Sequence, residues 1–218
     1  MKTLLFDLDG TIIDTRKDII KAVCRTLDRC QRPCPSDETI MSYVGRGPGK
    51  LIGDCLPADV SEEEKQQTHK IFLEEYMSAI TDETVPYEGM IEVLDYFLSK
   101  KTPMALVTNK SPSLTGRTLE LLDLKKYFFY IYCASDVNPA KPDPAAIKTA
   151  LDHLHAKPDS TVLIGDSEVD YKAAVAGGIK SCLVMWGFRN PTDLKALNPD
   201  YYADIPEDLI KLFGPLPE

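Results

Sequence analysis

The feature that most constrains the fold is the regular alternation of short apolar strands and helices in the second half of the chain. Predicted helices at 90–99, 114–122, 144–155 and 168–176 alternate with predicted strands at 104–107, 130–133, 161–164 and 181–185. Apolar runs without polar alternation are typical of strands buried on both faces, and a helix between two strands allows them to run parallel. The pattern therefore predicts an α/β fold, with a Rossmann-like three-layer core in which helices cover both faces of a parallel sheet.

Residues 15–82 interrupt this pattern with helices alone. An apolar stripe through Ile19, Val23 and Leu27 predicts a first helix, and shorter helices are expected at 36–44 and 50–56. Ser61, with Glu64 three residues later, is a capping-box signal for a fourth, longer helix. We therefore predict an inserted all-helical cap domain at 15–82 (the helical block) and a catalytic core domain formed by 1–14 and 83–218.

Composition and charge narrow the function. A chain of 218 residues with a net charge of −9 lacks the basic excess that general nucleic-acid or anionic-membrane binding needs. It has no secretory signal pattern and no apolar window long enough to span a membrane, so a cytoplasmic protein is expected. The six cysteines form no paired C-x-x-C unit, and no histidine lies near Cys24, Cys30 and Cys34, so free thiols are expected and not a zinc site.

The first strand ends in two carboxylates. Leu4, Leu5 and Phe6 form an apolar run, and Asp7 and Asp9 follow with one residue between them. Side chains alternate along a strand, so the two carboxylates are expected to lean the same way. Taken alone, the stretch is also compatible with an Asp-Gly turn.

Polar groups follow three other predicted strands. Thr108 and Asn109 follow one strand, Lys141 lies in the loop after the next, and Asp166 follows a third, with Asp170 one helical turn later. Ligands of such sheets bind beyond the carboxyl ends of the strands, so these groups are expected to meet there. Clustered carboxylates with few neighbouring cations are typical of a Mg²⁺ site, and Mg²⁺ commonly binds phosphate groups. The hydroxyl of Thr108, the amide of Asn109 and the ammonium of Lys141 could hold the phosphate oxygens.

The chain resembles the haloacid dehalogenase-like superfamily of phosphotransferases. Its four motifs stand here in order as Asp7-Leu8-Asp9-Gly10-Thr11, Val107-Thr108-Asn109, Lys141-Pro142 and Gly165-Asp166-Ser167-Glu168-Val169-Asp170. The helical block is similar to the first type of cap in that family. The segments Val44-Gly45-Arg46-Gly47 and Trp186-Gly187-Phe188-Arg189 resemble the phosphoglycolate phosphatase-like branch.

This resemblance implies roles for the motif residues. Asp7 would attack phosphorus and form an aspartyl phosphate, and Asp9 would be the general acid and then the general base. Thr108, Asn109 and Lys141 would bind and orient the phosphoryl group.

The resemblance also implies a metal site and a reaction class. Mg²⁺ would be held by the carboxylates of Asp7 and Asp166 and by the backbone carbonyl of Asp9, with Asp170 nearby. An aspartate at position 9 argues against the dehalogenase and phosphonatase branches, which lack one there.

Three hypotheses about function are compatible with these residues to different degrees. The first is a phosphatase for a small phosphorylated metabolite, with phosphoglycolate as the leading substrate, Arg46 as a further substrate contact and a monomer or weak homodimer as the expected state. The second is a sugar-phosphate mutase with the same catalytic residues. The third is a phosphorylated receiver domain, which chain length and the Asp7–Asp9 pair disfavour.

Overall fold

The computed structural model describes residues 2–135 and 137–214; Met1, Asp136 and residues 215–218 of the predicted core domain lie outside it. Its strands are β1 (Thr3–Phe6), β2 (Ile13–Asp14), β3 (Val85–Pro86), β4 (Met104–Thr108), β5 (Tyr130–Cys133), β6 (Thr161–Gly165), β7 (Lys180–Val184) and β8 (Tyr201–Ala203). Its α-helices are α1 (Arg16–Arg29), α2 (Asp37–Tyr43), α3 (Pro48–Cys55), α4 (Glu62–Ser78), α5 (Met90–Ser99), α6 (Pro112–Leu121), α7 (Ala145–Leu154), α8 (Glu168–Gly177), α9 (Pro191–Ala196) and α10 (Asp208–Phe213). Two short 3-10 helices lie at Lys125–Tyr127 and Pro158–Ser160.

Six strands form one parallel sheet in the order β5-β4-β1-β6-β7-β8. Strand β1 lies between β4 and β6, with Leu5 opposite Ala105 on one side and Leu163 on the other. The chain therefore winds outward from β1 in both directions, and β1 is the topological switch point where this class of sheet binds ligands. The predicted α/β fold with a parallel sheet is confirmed.

Alternate residues of the sheet feed two separate hydrophobic cores. Leu4 and Phe6 face a core that includes Val93 of α5 and Leu209 of α10. Leu5 faces the opposite core, which contains residues of α7 and α8 such as Ile147 and Ala173. Because successive side chains of a strand point to opposite faces, the sheet is the middle of three layers.

The helical block packs around a hydrophobic cluster of its own. Ile19, Val23 and Leu27 of α1 recur at four-residue spacing and join Phe72 and Tyr76 of α4 in that cluster. At the start of α4 the Ser61 side chain accepts a hydrogen bond from the backbone N–H of Glu64, so one arm of the predicted capping box is present. The four helices predicted at 15–82 are all found, with ends that differ by a few residues.

The two segments that connect the helical block to the parallel sheet lie side by side. Strands β2 and β3 pair antiparallel, with Ile13 opposite Pro86. The buried carboxylate of Asp18 accepts hydrogen bonds from the backbone N–H groups of Glu83 and Thr84 at 2.8 to 3.1 Å. Strands β2 and β3 were not predicted from the sequence, because strands of two residues are too short to show a periodicity.

The cysteines differ from the expectation of six free thiols. Cys24 and Cys34 form a disulfide, with their Cα atoms 5.1 Å apart. The bend after α1 brings Cys34 back beside Cys24, a proximity that residue spacing alone does not reveal. The expectation was wrong for this pair and holds for Cys30, Cys55, Cys133 and Cys182, which are free.

No helix within the described ranges is long and apolar enough to cross a membrane. The longest of them, α4, has 17 residues and begins with three consecutive glutamates, Glu62–Glu64.

Candidate active site

Seven of the eight residues that the sequence placed at a site converge beside β1. Asp7 and Asp9 follow β1, Thr108 ends β4 and Asn109 follows it, Lys141 lies in the loop after β5, Asp166 follows β6, and Asp170 lies in the first turn of α8. The side chain of Arg46 is the exception and is described below. Since β4 and β6 flank β1, the carboxyl ends of three adjacent strands carry most of the cluster.

Three carboxylates form the base of the site. One oxygen each of Asp7, Asp166 and Asp170 lies within 4.8 Å of the others. Burial, together with the charge of Asp170, raises the pKa of Asp7 to about 6 against the opposing effect of Lys141. Burial, followed by the charges of Asp170 and Asp7, raises the pKa of Asp166 well above its ordinary range. The cluster thus has more negative charge than its protein neighbours balance, and its oxygen-only donors fit a divalent cation such as Mg²⁺.

Lys141 bridges two of these carboxylates. Its Nζ lies 2.9 Å from Oδ1 of Asp7 and donates to Oδ1 of Asp170 at 2.7 Å. Burial opposes the ammonium charge, but the carboxylates of Asp170 and Asp7 raise the pKa of Lys141 above its ordinary value. Lys141 is therefore charged at neutral pH and is fixed beside Asp7. We call Asp7, Asp9, Lys141, Asp166 and Asp170 the carboxylate floor.

Local hydrogen bonds orient the outer carboxylates of the floor. Oδ2 of Asp170 accepts from the hydroxyl and the backbone N–H of Ser167, which is the capping box at the start of α8. Oδ2 of Asp166 accepts from the backbone N–H of Phe188 at 2.7 Å. These bonds fix the direction of both carboxylates.

Glycine is required where the backbone passes close to Asp166. Gly10 has φ +85°, and a Cβ on it would lie 2.3 Å from Oδ2 of Asp166. A Cβ on Gly187 would lie 2.3 Å from the Cβ of Asp166. Both positions exclude larger residues, so the Asp-Gly pair that resembled a hairpin turn instead makes space for a second carboxylate.

Asn109 binds backbone groups on two sides of the site. Its amide nitrogen donates to the carbonyl of Gly45 in the helical block and to that of Lys141, and its oxygen accepts from the backbone N–H of Lys141 at 2.7 Å. Asn109 therefore positions the Lys141 loop and joins it to the α2–α3 loop. Thr108, which is buried, accepts from the backbone N–H of Lys110.

Lys110 and Tyr76 also line the site, and neither was predicted from the sequence. Nζ of Lys110 donates to Asp9 at 3.0 Å and to the hydroxyl oxygen of Tyr76 at 2.7 Å, and it lies 4.5 Å from the centroid of the Tyr76 ring. Burial, with the nearby charge of Asp9, raises the pKa of Tyr76 to about 12 despite Lys110, so its hydroxyl stays protonated. The position of Lys110 directly after Thr108 and Asn109 was the signal available in the sequence.

The helical block forms an apolar wall over the floor. The lining of the cavity between them includes Ile19, Val44, Leu51, Phe72 and Tyr76 of the block (the block wall), with Leu114 and Phe188 beside them. Ile19, Leu51 and Phe72 are at most 5% exposed. The cavity thus has a charged base and a mainly apolar cover.

Arg46 points away from this cavity. Its guanidinium pairs with Asp54 at 3.1 Å and its side chain is 46% exposed, although Gly45 and Gly47 on either side line the cavity. Arg189 lines the cavity instead. It pairs with Glu168 and donates to the carbonyls of Met41 and Val44, which ties the segment after β7 to the end of α2.

Comparison with known proteins shows the family to which the chain belongs. The profile of haloacid dehalogenase-like hydrolases matches residues 4–184. A phosphoglycolate phosphatase of Aquifex aeolicus is 31% identical over 97% of this chain and 96% of its own length. A pyrophosphatase, PpaX, of Bacillus mycoides is 29% identical over 98% of this chain and 97% of its own length. Among solved structures, a haloacid dehalogenase-like hydrolase of Streptococcus pneumoniae superposes with a TM-score of 0.86 and 27% identity, and covers 98% of both chains.

The chain belongs to the haloacid dehalogenase-like hydrolase family. The predicted α/β fold with a parallel-sheet core is confirmed, and so is the prediction that the protein is an enzyme of this hydrolase family.

Proposed function

We propose that this protein is a Mg²⁺-dependent phosphatase that hydrolyses a small phosphorylated metabolite through an aspartyl phosphate on Asp7. The observation that supports this most is the carboxylate floor, in which the buried ammonium of Lys141 contacts Asp7 beside two further carboxylates. Phosphoglycolate is the first candidate substrate, because several relatives with similar length are named for it.

The donors of the floor fit Mg²⁺. Asp7, Asp166 and the backbone carbonyl of Asp9 would hold the ion, and Asp170 would support it from nearby. When bound, the ion would neutralise charge on the phosphoryl oxygens during transfer. The raised pKa values of Asp7 and Asp166 support this assignment, since they mark a cluster in which negative charge is unbalanced.

The reaction proceeds in two displacements. A carboxylate oxygen of Asp7 attacks phosphorus as the bond to the ester oxygen breaks, and Asp9 gives its proton to that leaving oxygen. Asp9 then takes a proton from water, the water oxygen attacks phosphorus, and inorganic phosphate leaves with Asp7 restored. Both aspartates follow β1, so one strand end supplies the nucleophile and the proton carrier.

Thr108 and Lys141 orient the phosphoryl group and offset the charge that develops on it. Asn109 contributes by positioning Lys141, since its amide bonds go to backbone groups. A direct contact from Arg46 to the substrate requires its side chain to leave Asp54 and turn inward.

Phosphate release tests the proposal. The panel contains phosphoglycolate, pyrophosphate, p-nitrophenyl phosphate and glucose 1-phosphate, each with and without Mg²⁺, for the wild type and Asp7→Asn. We expect Mg²⁺-dependent release by the wild type and none by the variant. Activity that persists in Asp7→Asn or without divalent ions would reject the mechanism, and isomer conversion of glucose 1-phosphate without phosphate release would favour the mutase.

A cytoplasmic location and a monomer or weak homodimer complete the proposal. Size-exclusion chromatography with light scattering at several concentrations measures the oligomeric state.

A further inference from the structure

We propose that Lys110 and Tyr76 determine substrate specificity by binding a carboxylate on the leaving group. The inference deepens the proposed phosphatase function and rests on it. The substrate class is then a phosphate monoester with a carboxylate on the carbon that carries the ester oxygen, and phosphoglycolate is the smallest member.

The position of Asp9 places the leaving group beside this pair. A general acid lies within about 2.6–3.2 Å of the oxygen that it protonates. Nζ of Lys110 is 3.0 Å from Oδ1 of Asp9 and 2.7 Å from the hydroxyl oxygen of Tyr76. The atoms one or two bonds beyond the ester oxygen therefore lie next to Lys110 and Tyr76.

The pair has donors to offer. The Tyr76 hydroxyl oxygen accepts a hydrogen bond from the Lys110 ammonium. Because an ammonium has no acceptor atom, the phenolic proton of Tyr76 is not used in this contact and can be donated to another group. No protein acceptor for that proton is present within residues 2–135 and 137–214. Both side chains are at most 5% exposed and both line the cavity, so an acceptor on the substrate would meet them away from water. Hydrogen bonds to a charged acceptor are the stronger kind.

Other cations near the cavity are bound elsewhere. Lys141 forms ion pairs with Asp7 and Asp170 in the floor. Arg189 pairs with Glu168 and donates hydrogen bonds to two backbone carbonyls. Arg46 pairs with Asp54 on the outside. Among the described residues that line the cavity, Lys110 is thus the cation nearest to where the leaving group must lie.

The block wall limits the rest of the leaving group. Apart from Tyr76 its side chains are those of Ile19, Val44, Leu51 and Phe72, which offer neither charge nor hydrogen bonds. A second charged group on the substrate would be buried there without a partner, at a cost that disfavours binding. The pocket therefore suits a short leaving group whose single anionic group faces Lys110 and Tyr76.

Two substrates that differ only in the carboxylate test the inference. Ethyl phosphate has a methyl group where phosphoglycolate has the carboxylate. We expect the wild type to prefer phosphoglycolate in kcat/KM, and Tyr76→Phe to reduce that preference roughly tenfold or more, mainly through KM for phosphoglycolate. Tyr202→Phe, at an exposed tyrosine on β8, is the matched control and should keep the wild-type preference.

Three further variants separate the pair from Arg46 and from a general loss of activity. Lys110→Met should lower the preference as Tyr76→Phe does, and Lys110→Arg should retain part of it by keeping the charge. An unchanged preference in both Tyr76→Phe and Lys110→Met would overturn the inference. Loss of preference in Arg46→Ala alone would overturn it too and assign the carboxylate to Arg46. Thermal melting of each variant shows whether the fold is intact, and Tyr76→Phe retains the ring that packs against Phe72.

The wild-type result separates this inference from the proposed function. Hydrolysis of p-nitrophenyl phosphate and ethyl phosphate with no preference for phosphoglycolate would overturn the inference and leave the phosphatase function standing. Failure to hydrolyse any monoester with Mg²⁺ present would overturn both.

Discussion

The carboxylate floor and the block wall lie on opposite sides of one cavity. They differ in where charged side chains lie: inside the cavity for the floor, and on the outer surface for the helical block. In the floor, Asp7 and Asp170 share the ammonium of Lys141, and the charges of Asp170 and Asp7 help to raise the pKa of Asp166. In the helical block the ion pairs lie at the surface, as between Arg29 and Glu75, and the wall over the cavity is mainly apolar. Surface pairs of this kind contribute little stability, whereas a buried network is sensitive to the loss of any member.

The difference separates chemistry from selection. The floor has the nucleophile, the proton carrier and the metal donors, which any phosphate monoester would require. The wall has one polar element, the hydroxyl of Tyr76, and that hydroxyl contacts the floor through Lys110. Substitutions in the floor should therefore affect all substrates alike, and those at the Lys110–Tyr76 contact should change which substrate is preferred.

The largest expected effect is on catalysis by Asp7→Asn. An amide cannot attack phosphorus, so kcat should fall on the order of 10⁴-fold or more for every substrate. Steady-state phosphate release measures it, with Asp152→Asn on the exposed face of α7 as the matched control. Comparable loss in the control, or a loss confined to one substrate, would contradict a general role for the floor.

Lys141→Met should be the most destabilising single change in the floor. It leaves the mostly buried carboxylates of Asp7 and Asp170 without their shared cation, a change that costs about 3–5 kcal/mol in comparable buried networks. Urea unfolding in the presence of a chelator measures the free energy of unfolding, and Lys148→Met at an exposed position of α7 is the control. An unfolding midpoint equal to that of the wild type would show that the floor does not depend on this ammonium.

Opening the disulfide should affect the helical block and leave the floor intact. Cys24 and Cys34 are 10 residues apart, and a loop of that size contributes about 2–3 kcal/mol in the chain-entropy account. The variant Cys24→Ser with Cys34→Ser should unfold earlier, with little change in kcat for p-nitrophenyl phosphate. Thiol titration of the unreduced, unfolded protein should find four reactive thiols, the number of free cysteines; six would contradict the bridge.

Asp7→Asn should stabilise the metal-free protein while it abolishes activity. Burial raises the pKa of Asp7 from 3.8 to about 6, so the folded state binds this proton more tightly than the unfolded state. Asp7 thus makes the metal-free protein less stable as pH rises from about 4 to 6, and the full loss is present above pH 6. The gain from the neutral amide should be about 3 kcal/mol at pH 7.5 and should vanish below pH 4. A variant less stable than wild type at pH 7.5 in chelator would show that the Lys141 pairing outweighs burial.

The sequence was informative about the active site because most of its residues lie at or just after the ends of strands. Asp7, Thr108 and Asp166 stand directly at the ends of β1, β4 and β6, and parallel strands bring such positions together whatever the loops do. Helix periodicity likewise predicted the helices of the block, since one apolar face of each had to be buried.

The contacts between the block and the floor could not be predicted in the same way. Tyr76 is 34 residues from Lys110, and their contact depends on how the block lies over the sheet. Arg46 stands between two residues that line the cavity, yet its side chain turns to Asp54. The Cys24–Cys34 bridge depends on the bend after α1. Each of these is set by packing between segments, which one sequence does not display.

The most direct test of the central claim is to trap the phosphoryl group on Asp7. Wild-type protein is mixed with phosphoglycolate and Mg²⁺, quenched within a turnover and treated with borohydride, which reduces an acyl phosphate to an alcohol. Peptide mass spectrometry should then find homoserine in place of aspartate at position 7, and only when both substrate and Mg²⁺ were present. Rapid phosphate release without modification of Asp7, or modification of another residue in its place, would contradict the account.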